Sequence, residues 1–127
     1  MRARVGSLLF LVALLLGAAA SGAAAQGMTV DAAKAKRGKT VYQNRCLACH
    51  TIGKGKAAGP DLKGVLERRD VEWVRRWLKN TSDMQVSDSI GQALVAEYKG
   101  MKMPDQRLPD SDIDALINFL AQATVMH

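Results

Sequence analysis

Two cysteines and a histidine lie within one short run of the sequence, Cys46-Leu47-Ala48-Cys49-His50. The two thiols are one helical turn apart, and the imidazole directly follows the second of them. This is the C-x-x-C-H pattern of covalent haem attachment. In such a site each thiol forms a thioether with a vinyl group of the haem, and the histidine becomes an axial ligand of the iron. The pattern therefore predicts one haem c, covalently bound through Cys46 and Cys49.

Two other interpretations of the cysteine pair are weaker. A disulfide or a thioredoxin-like redox pair would follow a strand of a parallel sheet, yet no segment alternates apolar and polar residues with a period of two. A zinc site needs four ligands at compatible spacing. The chain offers only the three residues of the motif and the terminal His127. The adjacent Cys49 and His50 are also difficult to direct at one ion.

Helical periodicity and capping residues predict the elements that position the motif. A first helix begins near Ala32 and runs toward Cys46, although Gly38 weakens it. Residues 51–60, TIGKGKAAGP, have no apolar period and predict an irregular loop. Loops of this kind often wrap a ligand.

Two further helices are predicted in the middle of the chain. Asp70 caps the first of them, which stops at Asn80 and Thr81 and has on its apolar face Val71, Val74, Trp77 and Leu78. On this face Trp77 is a better candidate for core burial than Trp73. The second begins near Asp88, meets Gly100 at its end, and carries on one face Ile90, Leu94 and Tyr98.

The last helix has the clearest pattern. Ser111 and Asp114 form a weakened capping box, and the apolar stripe consists of Ile113, Leu116, Ile117 and Leu120. The whole pattern predicts an all-α domain of four or so short helices, with no sheet and no internal repeat. Because such helices bury little apolar surface by themselves, a large apolar cofactor at their centre would help to explain the fold.

The amino-terminal residues resemble a secretory leader. Arg2 and Arg4 provide the charged region, residues 8–16 the apolar region, and residues 23–25 a small-residue cleavage site. We expect residues 1–25 to be removed and residues 26–127 to form one domain, beginning near Gln26. The alternative, a retained membrane anchor, is disfavoured because the apolar run is shorter than the roughly 20 residues that a spanning helix needs. The mature protein is then expected in the periplasm, without stable membrane insertion.

The charge of the chain excludes one class of partner. Without the leader, the 18 basic residues become 16 against 12 acidic ones, which leaves a formal charge of +4. Basic and acidic residues are interleaved, and aromatic residues are only 5% of the sequence. A nucleic-acid surface would instead show clustered basic residues. We therefore expect an ordinary solvated surface, no nucleic-acid partner and a monomer.

The segment QNRCLACHTIGKGKAAGPDLKGV, followed by KMPDQRLPDSDIDALINFL, resembles the class I cytochrome c family over nearly all of the mature chain. The resemblance implies an all-α cytochrome c fold in which the first and last helices cross near Gly38 and Tyr42, with Tyr42 meeting Phe119 or Leu120. It implies that His50 is one axial ligand and that the carbonyl of Pro60 accepts a hydrogen bond from its ring.

The resemblance also implies a methionine as the second axial ligand, on the loop before the last helix. Met103 matches the family's Met-Pro pair, and Pro104 restricts Met103 to extended geometry. Met84 lies too early, between two predicted helices. Met101 is two residues away, about 7 Å along an extended segment, and is expected to pack on the flank of the haem.

A tryptophan of this family can donate its indole N–H to a haem propionate. Trp77 is the better candidate here, and Arg75 or Arg76 is an alternative propionate partner. Iron with both axial positions filled does not readily bind oxygen or peroxide. The resemblance thus implies a one-electron carrier between redox partners rather than an enzyme.

Two alternative functions stay open, a haem-binding subunit of a larger oxidoreductase complex and a haem enzyme or sensor with a displaceable sixth ligand. For a carrier, the expected partners are redox proteins with acidic docking surfaces. The residues expected to steer them are four lysines around the exposed haem edge, Lys54, Lys56, Lys63 and Lys102.

Overall fold

The computed structural model describes residues 28–125, and within this part of the chain the only regular secondary structure is α-helix. The all-α prediction is confirmed. The described helices are α1 (Ala32–Arg45), α2 (Val65–Arg68), α3 (Val71–Lys79), α4 (Thr81–Ser87), α5 (Ser89–Glu97) and α6 (Asp110–Val125). They number six rather than the four or so expected, because the sequence pattern does not predict α2 and α4. None of them is long and apolar enough to cross a membrane.

Some predictions fall outside residues 28–125. These are the leader over residues 1–25, the mature start at Gln26, and the terminal residues 126–127. The assignment of residues 26–127 to a single domain stays a prediction.

The first and last helices pack against each other as expected. A Cβ atom at Gly38 would overlap the backbone carbonyl of Ala115 and would lie 2.8 Å from the Cβ atom of Phe119. Only glycine therefore allows this close approach of α1 to α6. Four residues further along α1, the ring of Tyr42 lies 5.5 Å from the ring of Phe119. The contact predicted for Tyr42 is confirmed.

Helix α3 begins as predicted, because the Asp70 side chain accepts a hydrogen bond from the N–H of Trp73 at 3.0 Å. The expectation that Trp77 is the better buried of the two tryptophans is wrong. Trp73 is only 8% exposed and belongs to the core, whereas Trp77 is half-buried. Their rings stack at 5.2 Å. Because α3 packs against both α4 and α6, its apolar stripe alone does not show which of the two tryptophan rings is buried.

Helix α4 begins where the sequence pattern predicts the end of α3. Asn80 leaves helical geometry at φ −137° and ψ 49°, and Thr81 starts a new helix in which Met84 and Gln85 are buried. The predicted stop of α3 at Asn80 is confirmed. The prediction missed that Thr81 and Met84 belong to a further helix between α3 and α5. Gly91 of α5 packs against the Met84 carbonyl, and a Cβ atom there would overlap it. The break between α3 and α4 is the single residue Asn80, which is too short to appear in the apolar periodicity of the sequence.

The boundaries of α5 agree with the prediction, and those of α6 differ from it. Gly100 follows α5 with a φ of 85°, the left-handed conformation expected at a helix terminus. Helix α6 begins at Asp110, and the N–H of Asp112 and of Ile113 both donate to the Pro109 carbonyl. The capping box of Ser111 and Asp114 is therefore wrong, because both residues already lie inside the helix. The Asp114 carboxylate instead accepts a hydrogen bond from Arg75 of α3, at 2.5 Å.

Candidate cofactor site

A cavity of about 810 Å³ opens between the motif, the loop that follows it, α3 and the segment before α6. Its apolar walls come from the inner faces of α3 and α6 and include Val74, Leu78, Leu116 and Leu120. The structure also places all six predicted cofactor-binding residues on its wall: Cys46, Cys49, His50, Pro60, Trp77 and Met103. Residues more than 50 positions apart in sequence therefore line one space.

The cysteine pair is carried by the end of α1. The N–H of Cys46 donates to the Tyr42 carbonyl at 2.9 Å, and those of Cys49 and His50 both donate to the Cys46 carbonyl. This turn leaves Cys46 buried and Cys49 exposed, and no disulfide joins them. Burial raises the pKa of the Cys46 thiol to about 11. No strand of a parallel sheet precedes the pair among the described residues, so the site does not fit a thioredoxin-like pair.

The zinc interpretation of the motif also lacks support. Among residues 28–125, no three histidine, cysteine, aspartate or glutamate side chains form a group that would hold a metal ion. His127 lies outside the described residues.

The His50 ring is held on two sides. Its Nδ1 atom lies 2.9 Å from the Pro60 carbonyl oxygen, which is the contact expected from the resemblance. Because a carbonyl only accepts, Nδ1 carries the proton in this contact, and Nε2 keeps its lone pair for a metal. Gly59 packs against the ring so closely that a Cβ atom there would lie 2.5 Å from Cε1. The buried hydroxyl of Tyr42 donates to the His50 carbonyl at 2.8 Å.

Asp61 organises the loop that carries Pro60, a role that the sequence analysis missed. Its carboxylate accepts hydrogen bonds from the backbone N–H groups of Lys63 (2.8 Å), Gly53 (2.8 Å) and Gly55 (2.7 Å). These bonds lower the pKa of Asp61 to about 2. Arg68 donates to the carbonyl oxygens of Asp61 and Lys63. The available signal was an aspartate after proline in a glycine-rich loop, since aspartate side chains often bond nearby backbone N–H groups.

Met103 is held by two side chains from α3 and α4. The indole N–H of Trp77 points to its sulfur, with Nε1 3.4 Å from Sδ. The side-chain amide of Gln85 bonds both its N–H and its carbonyl. The sequence analysis missed Gln85, because a glutamine facing the interior is recognisable only once α4 is known. The choice of Met103 as an iron ligand stays a prediction.

The other two candidate methionines are placed differently. Met84 is buried within α4 and is not part of the cavity wall. Met101 lines the cavity, but its side chain is 58% exposed.

Cationic side chains on the cavity wall differ from those expected. Arg75 and Arg76 do not line the cavity, and Arg75 is paired with Asp114 and Glu72. The Arg75 side chain is directed to α6, so the structure gives no support to Arg75 as a propionate partner, and the choice between tryptophan and arginine stays a prediction. The wall carries three other arginines, Arg45, Arg68 and Arg69. Contact of Trp77 with a propionate stays a prediction, since its N–H donates to the Met103 sulfur here.

The wall suits a large, mainly apolar group that bears carboxylates. Its lining combines apolar side chains of α3 and α6, three arginines, two cysteines and an imidazole whose Nε2 is not used by the Pro60 carbonyl. Tyr98 also lines the cavity, and its buried hydroxyl has no hydrogen-bond partner among the described residues. A buried polar atom of this kind is normally paired. These features fit haem c, and the fold and site define a haem-binding protein of the c type.

Comparison with known proteins agrees with this class. The sequence profile of the family described as Cytochrome c matches residues 35–124. A solved cytochrome c from Rhodothermus marinus is 29% identical with a TM-score of 0.72, over 76% of this chain and 81% of that one. The cytochrome c domain of the pp3183 protein from Pseudomonas putida is 36% identical with a TM-score of 0.62, over 68% of this chain and 87% of that one.

An engineered cytochrome c from Rhodothermus marinus, bound to a carbene intermediate, is also similar. It is 28% identical with a TM-score of 0.69, over 77% of this chain and 83% of that one. The chain belongs to the cytochrome c family. It is a c-type cytochrome whose haem is attached covalently through Cys46 and Cys49.

Proposed function

We propose that this protein is a periplasmic mono-haem cytochrome that carries single electrons between redox partners, with His50 and Met103 as the axial ligands of its iron. The observation that carries the proposal is that the side chains of His50 and Met103 both line the cavity and are both held there by a hydrogen bond. The His50 ring bonds the Pro60 carbonyl, and the Met103 sulfur accepts from the Trp77 indole N–H.

Hydrogen bonds within the chain leave a lone pair available on each of the two proposed ligand atoms. The Nδ1–H group of His50 is directed to the Pro60 carbonyl, which leaves Nε2 as the coordinating atom and increases its basicity. The Trp77 N–H takes one lone pair of the Met103 sulfur, and the other lone pair stays available. When bound, the haem supplies an iron that changes by one electron between its ferric and ferrous states.

Ligands that are held in place suit electron transfer, because little in the site has to move when the iron gains or loses an electron. The Pro60 loop is held by Asp61, and the backbone of Met103 is held by Gln85. These contacts would let both ligands stay in place when the iron changes its oxidation state. No catalytic side chain is needed beyond the ligands themselves.

The alternative of a haem enzyme or sensor requires a sixth position that small molecules reach. Replacing Met103 by alanine should abolish the weak long-wavelength sulfur-to-iron absorption band of the ferric protein. It should also lower the reduction potential and allow carbon monoxide to bind the ferrous protein. The control Met101→Leu should keep the band and exclude carbon monoxide. A Met103→Ala protein that keeps the band, or a parent protein that binds carbon monoxide readily, would contradict the proposed ligation.

We further propose that the electron partners carry acidic docking surfaces. Lys56, Lys63 and Lys102 lie on the cavity wall, and Lys54 is exposed on the same loop as Lys56. Lys56 forms an ion pair with Glu97, so its charge is partly compensated. The steering charge is therefore assigned mainly to Lys54, Lys63 and Lys102.

The periplasmic location in this proposal is supported by the leader pattern of residues 1–25, with its two arginines and small-residue cleavage site.

A further inference from the structure

Met103 lies in the segment between α5 and α6, where no helix or strand pairs its backbone. A single side chain, Gln85 of α4, provides both of its backbone hydrogen bonds. The Met103 N–H donates to Gln85 Oε1 at 2.8 Å, and Gln85 Nε2 donates to the Met103 carbonyl at 2.9 Å. Gln85 therefore pairs with this residue in the way that a neighbouring strand would.

The Gln85 amide is fully used by these contacts. It is only 4% exposed, and Nε2 also donates to the Thr81 carbonyl, at 3.2 Å. An amide side chain has one acceptor oxygen and a nitrogen with two N–H donors. The Met103 N–H needs an acceptor and the Met103 carbonyl needs a donor, so the hydrogen-bond pattern determines the orientation of the amide. A flipped amide would satisfy neither of these two backbone groups.

We propose that Gln85 is a positioning residue that holds the Met103 sulfur at the haem, an inference that rests on the proposed ligation of the iron by Met103. A methionine side chain has three rotatable bonds, so its sulfur stays in place only if the backbone below it is also fixed. Trp77 contacts the sulfur, and Gln85 fixes the backbone. Without Gln85, the N–H and carbonyl of Met103 would have to turn toward water, and the sulfur would leave the iron more often.

The loop beyond Pro104 is held by the same helix. The N–H and hydroxyl of Ser82 both donate to the Asp105 carboxylate, at 2.8 and 2.7 Å. Helix α4 thus contacts the chain on each side of Pro104. Replacing Gln85 is therefore expected to release Met103 without detaching the whole loop.

The test measures how readily an external ligand displaces the methionine. The test variant is Gln85→Met, which keeps an unbranched side chain of similar length and removes both bonds to Met103. The control is Gln92→Met, because Gln92 is exposed and its amide bonds only the Val86 carbonyl, at 2.7 Å. Imidazole is titrated into each ferric haem-loaded protein, and loss of the sulfur-to-iron band reports displacement. We expect about 10- to 100-fold tighter imidazole binding for Gln85→Met and no change for Gln92→Met.

The outcomes separate positioning from a merely structural role. A structural role would lower the denaturant midpoint of Gln85→Met but leave the imidazole affinity of the folded protein at the parental value, and that result would overturn the inference. If the parent protein has no sulfur-to-iron band, the proposed ligation fails, and the inference fails with it. A parental band together with unchanged imidazole affinity in Gln85→Met refutes the inference alone.

A second measurement needs no variant, in case Gln85→Met does not fold. Amide hydrogen exchange of the parent protein should show a protected N–H at Met103, although this residue lies outside any helix. The neighbouring Lys102, which has no backbone hydrogen bond among the described residues, should exchange quickly. Equal exchange rates at the two residues would contradict the role of Gln85.

Discussion

Gly59 lies against the imidazole of His50, and its replacement by alanine tests the packing that orients this ring. A Cβ atom at residue 59 would lie 2.5 Å from Cε1, 2.9 Å from Nδ1 and 3.1 Å from Nε2 of His50. The backbone at residue 59 is not in the left-handed region that favours glycine. The effect of Gly59→Ala is therefore steric, and it acts on the ring itself.

The ring cannot yield without losing its hydrogen bond to the Pro60 carbonyl, now 2.9 Å. Adding a methyl group to a packed site costs about 1–3 kcal/mol, and loss of a hydrogen bond costs about 1 kcal/mol. We therefore expect Gly59→Ala to lower the free energy of unfolding by about 2–4 kcal/mol. Because the bond to the carbonyl makes the imidazole more basic, its loss should also raise the reduction potential.

Denaturant unfolding of the haem-loaded protein and redox titration measure the two effects. The control is Gly100→Ala after α5, outside the cavity wall, where no atom lies within 4 Å of the added Cβ but φ is 85°. It should lower stability through backbone strain alone, by about 1–2 kcal/mol, and leave the potential unchanged. The reasoning is refuted if Gly59→Ala changes stability by less than about 0.5 kcal/mol or leaves the potential at the parental value.

Two further predictions concern the loop carboxylate and the surface lysines. The pKa of Asp61 falls from 3.8 to about 2 on folding, so its stabilising effect is present above pH 3.8 and is lost as the pH falls toward 2. Urea unfolding across this interval should show a smaller loss of stability for Asp61→Asn than for the parent protein, and equal losses would contradict this role. Electron exchange with an acidic partner should slow as salt is added, and should slow again in Lys63→Glu/Lys102→Glu. The control Lys36→Glu/Lys39→Glu on α1 should match the parent, and rates insensitive to both salt and charge reversal would remove the steering role.

The sequence by itself determined the chemistry of attachment and most of the helices. The C-x-x-C-H motif is local, so the spacing of Cys46, Cys49 and His50 is readable without a fold. The cap at Asp70 and the stop at Gly100 are local as well, since a side chain bonds the backbone a few residues away or a glycine takes up a positive φ. These predictions from short-range interactions hold in the structure, whereas the capping box of Ser111 and Asp114 does not.

Only the tertiary structure decided which side chains face the cavity. The apolar stripe of α3 favoured Trp77 for the core, but the packing of α3 against α4 and α6 puts Trp73 in the core and Trp77 at the Met103 sulfur. Arg75 pairs with Asp114 for the same reason, because α6 crosses beside α3. These choices depend on neighbours that are distant in sequence, and no local pattern contains them.

The support of Met103 is the clearest case of information that the sequence alone does not contain. Gln85 lies 18 residues before Met103, in a helix separated from α3 by the single residue Asn80. Nothing in the types of these residues shows that an amide will pair with a backbone so far along the chain. The pairing exists because α4 folds back beside the loop, where Gln85 is buried and Met103 is half-buried. Backbone N–H and carbonyl groups that lose contact with water must find other hydrogen bonds.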